Sequence, residues 1–288
     1  MKTTTLRCAD RTFDVRVVPR NHHHHNARAI VTEMAAEAKQ HGYADDLDGY
    51  LVVLPPETET DSAFRLHSFN PACDPAQPDG VDALCAFRAY QNAEVEAGDP
   101  TGDSLALRLG DLIVTLSPLG DETIEADLGK PSLEPADAAI DITGLVPVQS
   151  PHTYEIELDG FDEAVIVTLV VLEGVHAVIF TQSLGGVPLD RIGPALDAHR
   201  AFPKGCTTHA AVVEAPGEVT LQSWQRGVGV TPASGLGLGA ICAAGVTNAC
   251  TIESNAARLP DGHLAASWDG DRHVRLRGRV EATAHSAA

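Results

Sequence analysis

The sequence predicts an α+β protein in which strands dominate. Three observations lead to this class. Most apolar runs are short and rich in β-branched residues, only a few segments show helical spacing, and clusters of Pro, Gly and Asp separate them. The chain has 288 residues, of which 44% are apolar, so it can bury a sizeable core as one large or two medium domains.

Helical spacing of apolar residues predicts three helices, at Ala27–His41, Gly80–Ala93 and Val187–Phe202. A glycine-rich, apolar run at Gly235–Gly245 also begins in a helix-like way. The remaining apolar runs alternate or are short and β-branched, as strands are. These predicted strands are Val15–Val18, Tyr50–Leu54, Phe64–Phe69, Ser104–Leu109, Leu112–Leu116, Thr123–Leu128, Thr153–Leu158, Ala164–Leu172, Ala177–Thr181, Thr208–Glu214, Val219–Trp224, His263–Trp268 and His273–Thr283.

The two halves of the chain look like repeats of one another. The run that begins at Asp79 and the run that begins at Ser234 each place a short polar residue before Gly and a helix-like segment. The Pro- and Asp-rich stretch Gly129–Ala139 reads as a linker. We therefore expect halves at residues 1–132 and 133–272, with a final strand in 273–288 joining the first half.

The charge balance excludes several classes of partner. Forty acidic and twenty basic side chains give a net charge of -20, which disfavours binding to nucleic acid or to an anionic membrane surface. The longest nearly continuous apolar stretch, Ala164–Leu172, is far shorter than the ~20 residues of a membrane helix. With no apolar signal core at the N-terminus, and six cysteines without a C-x-x-C pair, we expect a cytoplasmic protein with mostly buried free thiols.

The two glycine-rich helix starts are candidates for ligand binding. The first turn of a helix has unpaired N–H groups and the positive end of its dipole, so the amides of Gly80, Val81, Gly235 and Leu236 could hold a carboxylate. Asp79 and Ser234 would stand at the mouths of these helices. The alternative is that both are simple N-caps, which Asp and Ser favour.

At these positions the sequence resembles the diaminopimelate epimerases. Residues 69–85, F-N-P-A-C-D-P-A-Q-P-D-G-V-D-A-L-C, are similar to the F-N-A-D-G-S…C-G-N-G-A-R-C segment of that family. Residues 225–237, Q-R-G-V-G-V-T-P-A-S-G-L-G, resemble its E-R-G-x-G-E-T-x-A-C-G-T/S-G motif. Further similarities at residues 48–56, 186–203 and 259–270 extend the resemblance over nearly the whole chain.

The resemblance implies two pseudo-symmetric halves, each a β-barrel-like sheet around a central helix, with the active site in the cleft between them. It also implies catalysis without a cofactor, by two cysteines that remove and deliver a proton on opposite faces of a carbon. Here Asp79 and Ser234 stand at the two cysteine positions. A serine without a base partner is a poor acid and base, whereas an aspartate can remove a proton from carbon when it is partly desolvated.

The resemblance also implies residues that contact the substrate. Asn70 and Arg226 are retained, whereas the family's Glu is Gln225 and the Asn of its N-x-G-F stretch is lost. His176 and His209 map near the family's site, although a lone histidine is more often structural. The Asn of an N-terminal family motif is matched to Asn21, which would bring His22 or His23 to the substrate. Adjacent histidines rarely converge on one ion, so we expect no metal.

Taken together, these features predict a cofactor-independent isomerase that moves a proton and a double bond in a small unsaturated carboxylate, with Asp79 as the proton shuttle and Ser234 as a donor. Similar cysteine-free proteins occur in actinobacterial antibiotic pathways, so we expect a role in specialised metabolism and a monomer or homodimer. Two alternatives remain: an amino-acid epimerase that uses an Asp/Ser pair, and a ligand-binding protein without catalysis.

Overall fold

A computed structural model describes residues 3–19, 26–57, 63–97, 104–260 and 262–283, with the side chains of residues 94–97 left aside. Four α-helices form within these ranges: α1 Ala27–His41, α2 Gly80–Ala97, α3 Leu189–Asp197 and α4 Gly235–Thr247. Short 3-10 helices lie at Ala44–Asp46, Pro135–Ala138 and Leu184–Gly186. None of the described helices combines the length and apolar character that crossing a membrane requires.

The chain divides into two compact units. The first unit comprises residues 1–127 and 277–288, and the second comprises residues 128–276. Strands dominate both units, so the predicted α+β class is confirmed.

The strands of the first unit form one mixed sheet. They are β1 Thr3–Cys8, β2 Arg11–Val17, β3 Gly49–Leu54, β4 Phe64–Phe69, β5 Pro75–Ala76, β6 Leu105–Leu109, β7 Leu112–Gly120 and β8 Thr123–Asp127. The hydrogen-bonded order is β1-β2-β3-β4-β6-β7-β8, with β2–β3 and β4–β6 parallel. Parallel neighbours need a crossover, and α1 and α2 supply the two crossovers.

The second unit repeats this plan. Its strands are β9 Val146–Pro147, β10 Thr153–Ile156, β11 Val165–Leu172, β12 Gly174–Phe180, β13 Thr207–Ala215, β14 Glu218–Gln225, β15 Gly229–Thr231, β16 Ser254–Ala257 and β17 Leu264–Ser267. The order is β9-β10-β11-β12-β13-β14-β16-β17, with β12–β13 and β14–β16 parallel and α3 and α4 as the crossovers. The last strands are β18 Arg275–Arg279 and β19 Glu281–Ala282, and β19 pairs with β1.

One helix lies inside each sheet. Helix α2 packs against β1–β4 and β6–β8, and α4 packs against β11–β13, β16 and β17. Helix α4 contains no charged residue and is buried along Gly235–Gly245, as a helix that is apolar all round must be. The surface helices α1 and α3 are amphipathic instead, and α1 begins at an Asn26 cap and ends at Gly42 in the left-handed conformation.

The structure shortens one predicted helix. The predicted segment Val187–Phe202 forms a helix only over Leu189–Asp197, after Pro188. Beyond it the chain makes tighter turns, in which the His199 N–H donates to the Leu196 carbonyl and the Phe202 N–H to the His199 carbonyl. Pro203 disfavours the helical conformation of Phe202, so the helix does not reach the predicted end.

Candidate active site

Asp79 caps helix α2 and is almost completely buried, with 1% of its surface exposed. The Val81 N–H donates to Asp79 Oδ2 at 3.2 Å, and the Asp79 N–H donates to Asp82 Oδ2 at 3.2 Å. This reciprocal arrangement is a capping box, and it satisfies donors of the first helical turn. The N-cap interpretation of Asp79 is therefore confirmed. The Val81 amide donates to Asp79 here, and its contact with a substrate carboxylate stays a prediction.

Arg11 provides a buried cation next to these carboxylates. Its Nη1 lies 3.3 Å from Asp82 Oδ1 and 3.9 Å from Asp79 Oδ2, and its guanidinium stacks 4.6 Å from the centre of the Phe13 ring. Arg11 could not be recognised as a site residue from the sequence, because an arginine just after a tight turn usually faces solvent. Only the packing of β2 against α2 shows that it is 2% exposed.

Asp82 has a perturbed protonation equilibrium. Its pKa is raised from 3.8 to about 6, chiefly by complete burial and also by the charge of Asp79. The Arg11 charge, a hydrogen bond from Ser68 and the Asp79 backbone amide act in the opposite direction. The mouth of α2 thus combines two buried carboxyl groups with one arginine, and one of the two carboxyl groups titrates within reach of neutral pH.

Replacing Asp82 by Asn should remove a pH-dependent loss of stability. Because the pKa of Asp82 is raised in the folded state, its protonated carboxyl group favours folding. This contribution to stability is complete below pH 4 and is lost as the pH rises through about 6. The shift corresponds to about 3 kcal/mol at most, at ~1.36 kcal/mol per pKa unit. Urea unfolding at pH 4 and pH 7.5 should show Asp82→Asn gaining on the wild type at the higher pH. The exposed substitution Asp45→Asn should show no such trend, and the same absence in Asp82→Asn would contradict the assignment.

Ser234 occupies the corresponding position on α4 and is fully buried. Its Oγ accepts two hydrogen bonds, from the Gly237 N–H at 2.9 Å and from Gln225 Nε2 at 3.0 Å. The N-cap interpretation is confirmed here as well. A hydroxyl can donate as well as accept a hydrogen bond, so Ser234 has the chemistry of a hydrogen-bond donor.

His176 and His209 form a buried chain of hydrogen bonds beside α4. His176 Nε2 lies 2.7 Å from the Leu172 carbonyl oxygen, His176 Nδ1 lies 2.9 Å from His209 Nε2, and His209 Nδ1 lies 2.7 Å from Ser223 Oγ. The Leu172 carbonyl only accepts, so with both rings neutral Ser223 donates to His209, His209 to His176, and His176 to Leu172. The two rings stack with centres 5.1 Å apart.

Burial, and next the neighbouring His176, hold the pKa of His209 well below its usual value. The contribution of the neutral His209 side chain to stability is therefore complete above pH 6.5. It is lost as the pH falls toward the pKa that His209 has in the folded state. We expect the stability advantage of the wild type over His209→Gln to shrink between pH 7.5 and pH 5. Chemical unfolding at several pH values measures this, with His41→Gln in the exposed last turn of α1 as the control. An advantage that stays constant with pH would show that His209 does not titrate in this way.

The structure gives two other candidate residues local partners. Arg226 Nε and Nη2 bind Asp197 at 2.9 and 2.8 Å, which ties the turn after β14 to the end of α3. Asn70 Oδ1 accepts from the Asp74 N–H at 2.9 Å and shapes the loop that leads to Asp79. Their contacts with a substrate remain predictions, as do those of Gly80, Val81, Gly235, Leu236, His176 and His209. Asn21, His22 and His23 lie outside the described residues.

In the described ranges, no group of three or more His, Cys, Asp and Glu side chains is placed to hold a metal ion. The six cysteines are free thiols, and Cys8, Cys85, Cys206 and Cys242 are buried. The groups that carry chemistry in each unit are thus Asp79, Asp82 and Arg11 in the first, and Ser234, Gln225 and the His176–His209–Ser223 chain in the second.

Comparison with known proteins places this geometry in a class. No family model matches the chain. Solved structures that share its fold include a hydroxyproline epimerase from Agrobacterium vitis (TM-score 0.64, 13% identity, 98% of this chain and 90% of that one) and a methylitaconate-delta-isomerase (TM-score 0.56, 9% identity, 98% and 93%). A phenazine biosynthesis protein of the PhzF family from Enterococcus faecalis also matches (TM-score 0.53, 12% identity, 99% and 98%). The fold is thus one that isomerases and epimerases share.

The curated relatives are more specific. The diaminopimelate epimerase of Desulfitobacterium hafniense is 30% identical over 236 residues, which cover 80% of this chain and 78% of the relative. That of Synechococcus elongatus is 27% identical over 253 residues, covering 86% and 85%. The chain belongs to the diaminopimelate epimerase family, and this membership supports an enzyme activity of the isomerase or epimerase type.

Proposed function

We propose that the protein is a cofactor-independent isomerase that moves a proton and a double bond within an unsaturated carboxylic acid. The observation that carries the proposal is the chemical difference between the residues at the N-termini of helices α2 and α4. A carboxylate, Asp79, stands at the start of α2, and a hydroxyl that already accepts two hydrogen bonds, Ser234, stands at the start of α4. A carboxylate can accept a proton from carbon, whereas Ser234 is suited to donate a hydrogen bond.

This difference favours a mechanism with one catalytic base over a mechanism with two. In the proposed reaction an Asp79 oxygen removes a proton from the carbon next to the double bond, and the electron pair moves toward the substrate carboxylate to form a dienolate. The same carboxyl group then returns the proton to the far carbon, so the double bond shifts and no electrons are gained or lost. The Ser234 hydroxyl stabilises the charge that develops on the dienolate oxygen.

The substrate class follows from the residues around Ser234. The family's Glu is replaced by Gln225, whose side chain is neutral and donates to Ser234. A neutral amide attracts an ammonium group less than a carboxylate does. This favours a carboxylic acid, or a derivative of an amino acid, that lacks the full recognition set for diaminopimelate. We propose a role in secondary metabolism, such as antibiotic biosynthesis, which the shared fold with phenazine biosynthesis proteins supports.

An epimerase that uses the Asp/Ser pair is the second candidate. It is favoured by the activity for which the relatives are named. The curated relatives are diaminopimelate epimerases, and one solved structure with this fold is a hydroxyproline epimerase. Epimerisation of this kind needs an acid and a base on opposite faces of one carbon, and Ser234 would have to serve as one of them.

Proton exchange in D₂O separates the candidates. The protein is incubated with unsaturated carboxylates, including dienyl proline analogues, and with L- and D-amino acids, and deuterium is located by NMR. An isomerase places deuterium on a carbon of the shifted double-bond system. An epimerase places it on the α-carbon with inversion, which would overturn the first proposal. Thermal stabilisation by a compound that shows no exchange would indicate a protein that only binds its ligand.

A further inference from the structure

The first unit contains a cavity beside helix α1. It has a volume of about 770 Å³ and lies between the start of α1 and the strands β4 and β6. Its lining includes Arg28, Arg65, Arg108 and His67, together with one acidic residue, Glu57, and it includes none of the described residues that were predicted to bind substrate. Three arginines around one cavity are unexpected in a chain with forty acidic and twenty basic side chains.

Two of these arginines are direct neighbours across the sheet. Strands β4 and β6 are parallel, and their register places Arg65 opposite Arg108, so both side chains project from the same face. Like charges in this position repel and destabilise a sheet. Arg65 is held in place by the Pro55 carbonyl, which accepts from its Nε at 3.2 Å, and by an ion pair with the exposed Glu57. An anion bound beside the two guanidinium groups would interact favourably with both.

His67 adds a polar group with an unused hydrogen-bonding position. It follows Arg65 by two residues on β4 and therefore projects from the same face. Its Nε2 is buried and makes no hydrogen bond to the part of the chain that the structure describes. A buried nitrogen without a partner is costly, so its place in the cavity wall points to a ligand atom as the partner.

The rest of the cavity wall is largely apolar. Leu54 and Phe69 belong to the hydrophobic cluster beneath α1, and Pro75 and Pro78 line the same space. A small inorganic ion would leave this surface exposed to water. The wall therefore suits a ligand that joins an anionic group to an apolar body.

We propose that this cavity binds an amphipathic anion. Its carboxylate or phosphate lies between Arg65 and Arg108 and reaches His67, and its hydrocarbon part packs against Leu54 and Phe69. Planar guanidinium groups bind both kinds of oxyanion through paired hydrogen bonds, so either headgroup has the required chemistry. The segment Pro75–Pro78 leads directly into Asp79, so the ligand would contact the loop that carries the predicted base.

Titration calorimetry with decanoate, decyl phosphate and decanol tests this proposal on the full chain. We expect decanoate or decyl phosphate to bind at one site, at least ten times more tightly than decanol, and more weakly as salt is added. The tighter of the two acids identifies the headgroup. The proposal is overturned if neither acid binds, or if decanol binds equally well.

Variants locate the site. Arg65→Gln and Arg108→Gln should each weaken the binding of the better acid at least tenfold, and Arg108→Lys should weaken it less. Arg258→Gln removes an exposed arginine that pairs with Glu218 in the second unit, so it should leave binding unchanged. Thermal unfolding shows whether each variant is folded. Folded Arg65→Gln and Arg108→Gln proteins that bind as tightly as the wild type would refute the proposed location.

Discussion

Asp79→Asn is expected to lower the rate of proton exchange about 10³-fold or more while the protein stays folded. General bases typically contribute ~10²–10⁴-fold, and an amide cannot replace a carboxylate in accepting a proton from carbon. The fold should survive, because Asn is as good an N-cap as Asp and its Oδ1 can still accept from the Val81 N–H. Deuterium uptake into the best substrate of the NMR panel measures the rate.

Two further variants make this result specific. Asp79→Ala removes the cap as well as the base, so it should be equally inactive and also lose about 1 kcal/mol of stability. Ser234→Ala should retain more activity than either variant, because one donor to an oxyanion contributes less than the base that starts the reaction. Exchange that continues at the wild-type rate in Asp79→Asn would move the role of base to another carboxyl group, and Asp82 would be the next to test.

Gly237→Ala is expected to destabilise the second unit by about 2–4 kcal/mol. A Cβ at this position would stand 2.6 Å from His209 Nδ1 and 2.8 Å from Ser234 Oγ. The imidazole would have to move, and it would lose its buried hydrogen bonds to Ser223 and His176. The gain of about 0.5–1 kcal/mol from replacing Gly by Ala in a helix is too small to compensate. Urea unfolding measures the difference.

Gly239→Ala provides a control within the same helix. Its Cβ would meet the ends of apolar side chains, Val274 at 3.0 Å and Leu172 at 3.2 Å, which can shift by a few tenths of an ångström. Gly186→Ala, with nothing within 4 Å, should be close to neutral. If Gly237→Ala were as stable as these two, the packing of His209 on the first turn of α4 would not be as tight as described.

The surface helix and the helix mouths could be predicted from local sequence. The helix Ala27–His41 has the bounds that its apolar spacing predicted, since Ile30, Val31, Met34, Ala35 and Ala38 form its buried face. Asp79 and Ser234 could be placed at helix starts because a short polar residue before glycine is a local signal for an N-cap. The match to the epimerase family rested on similar short motifs, in which chain neighbours supply the information.

The partners of these residues could not be predicted in the same way. Arg11 meets Asp79 and Asp82 only because β2 packs on α2, and the sequence between them gives no sign of the ion pair. His209 meets Ser223 through the register of β13 on β14, and it meets His176 because β12 and β13 lie side by side. A shift of one residue in either register would turn these side chains to the other face.

Sequence alone determined the class of fold, the repeat of one plan in two halves, and the two residues that open the buried helices. These depend on periodicity, caps and motifs, which are properties of neighbouring residues. Tertiary structure decided the charge around Asp79, the direction of the hydrogen bonds from Ser223 to Leu172, and the meeting of Arg65 and Arg108 at one cavity. Each of these depends on strand register and on burial, which raise or lower pKa values and bring together residues distant in the chain.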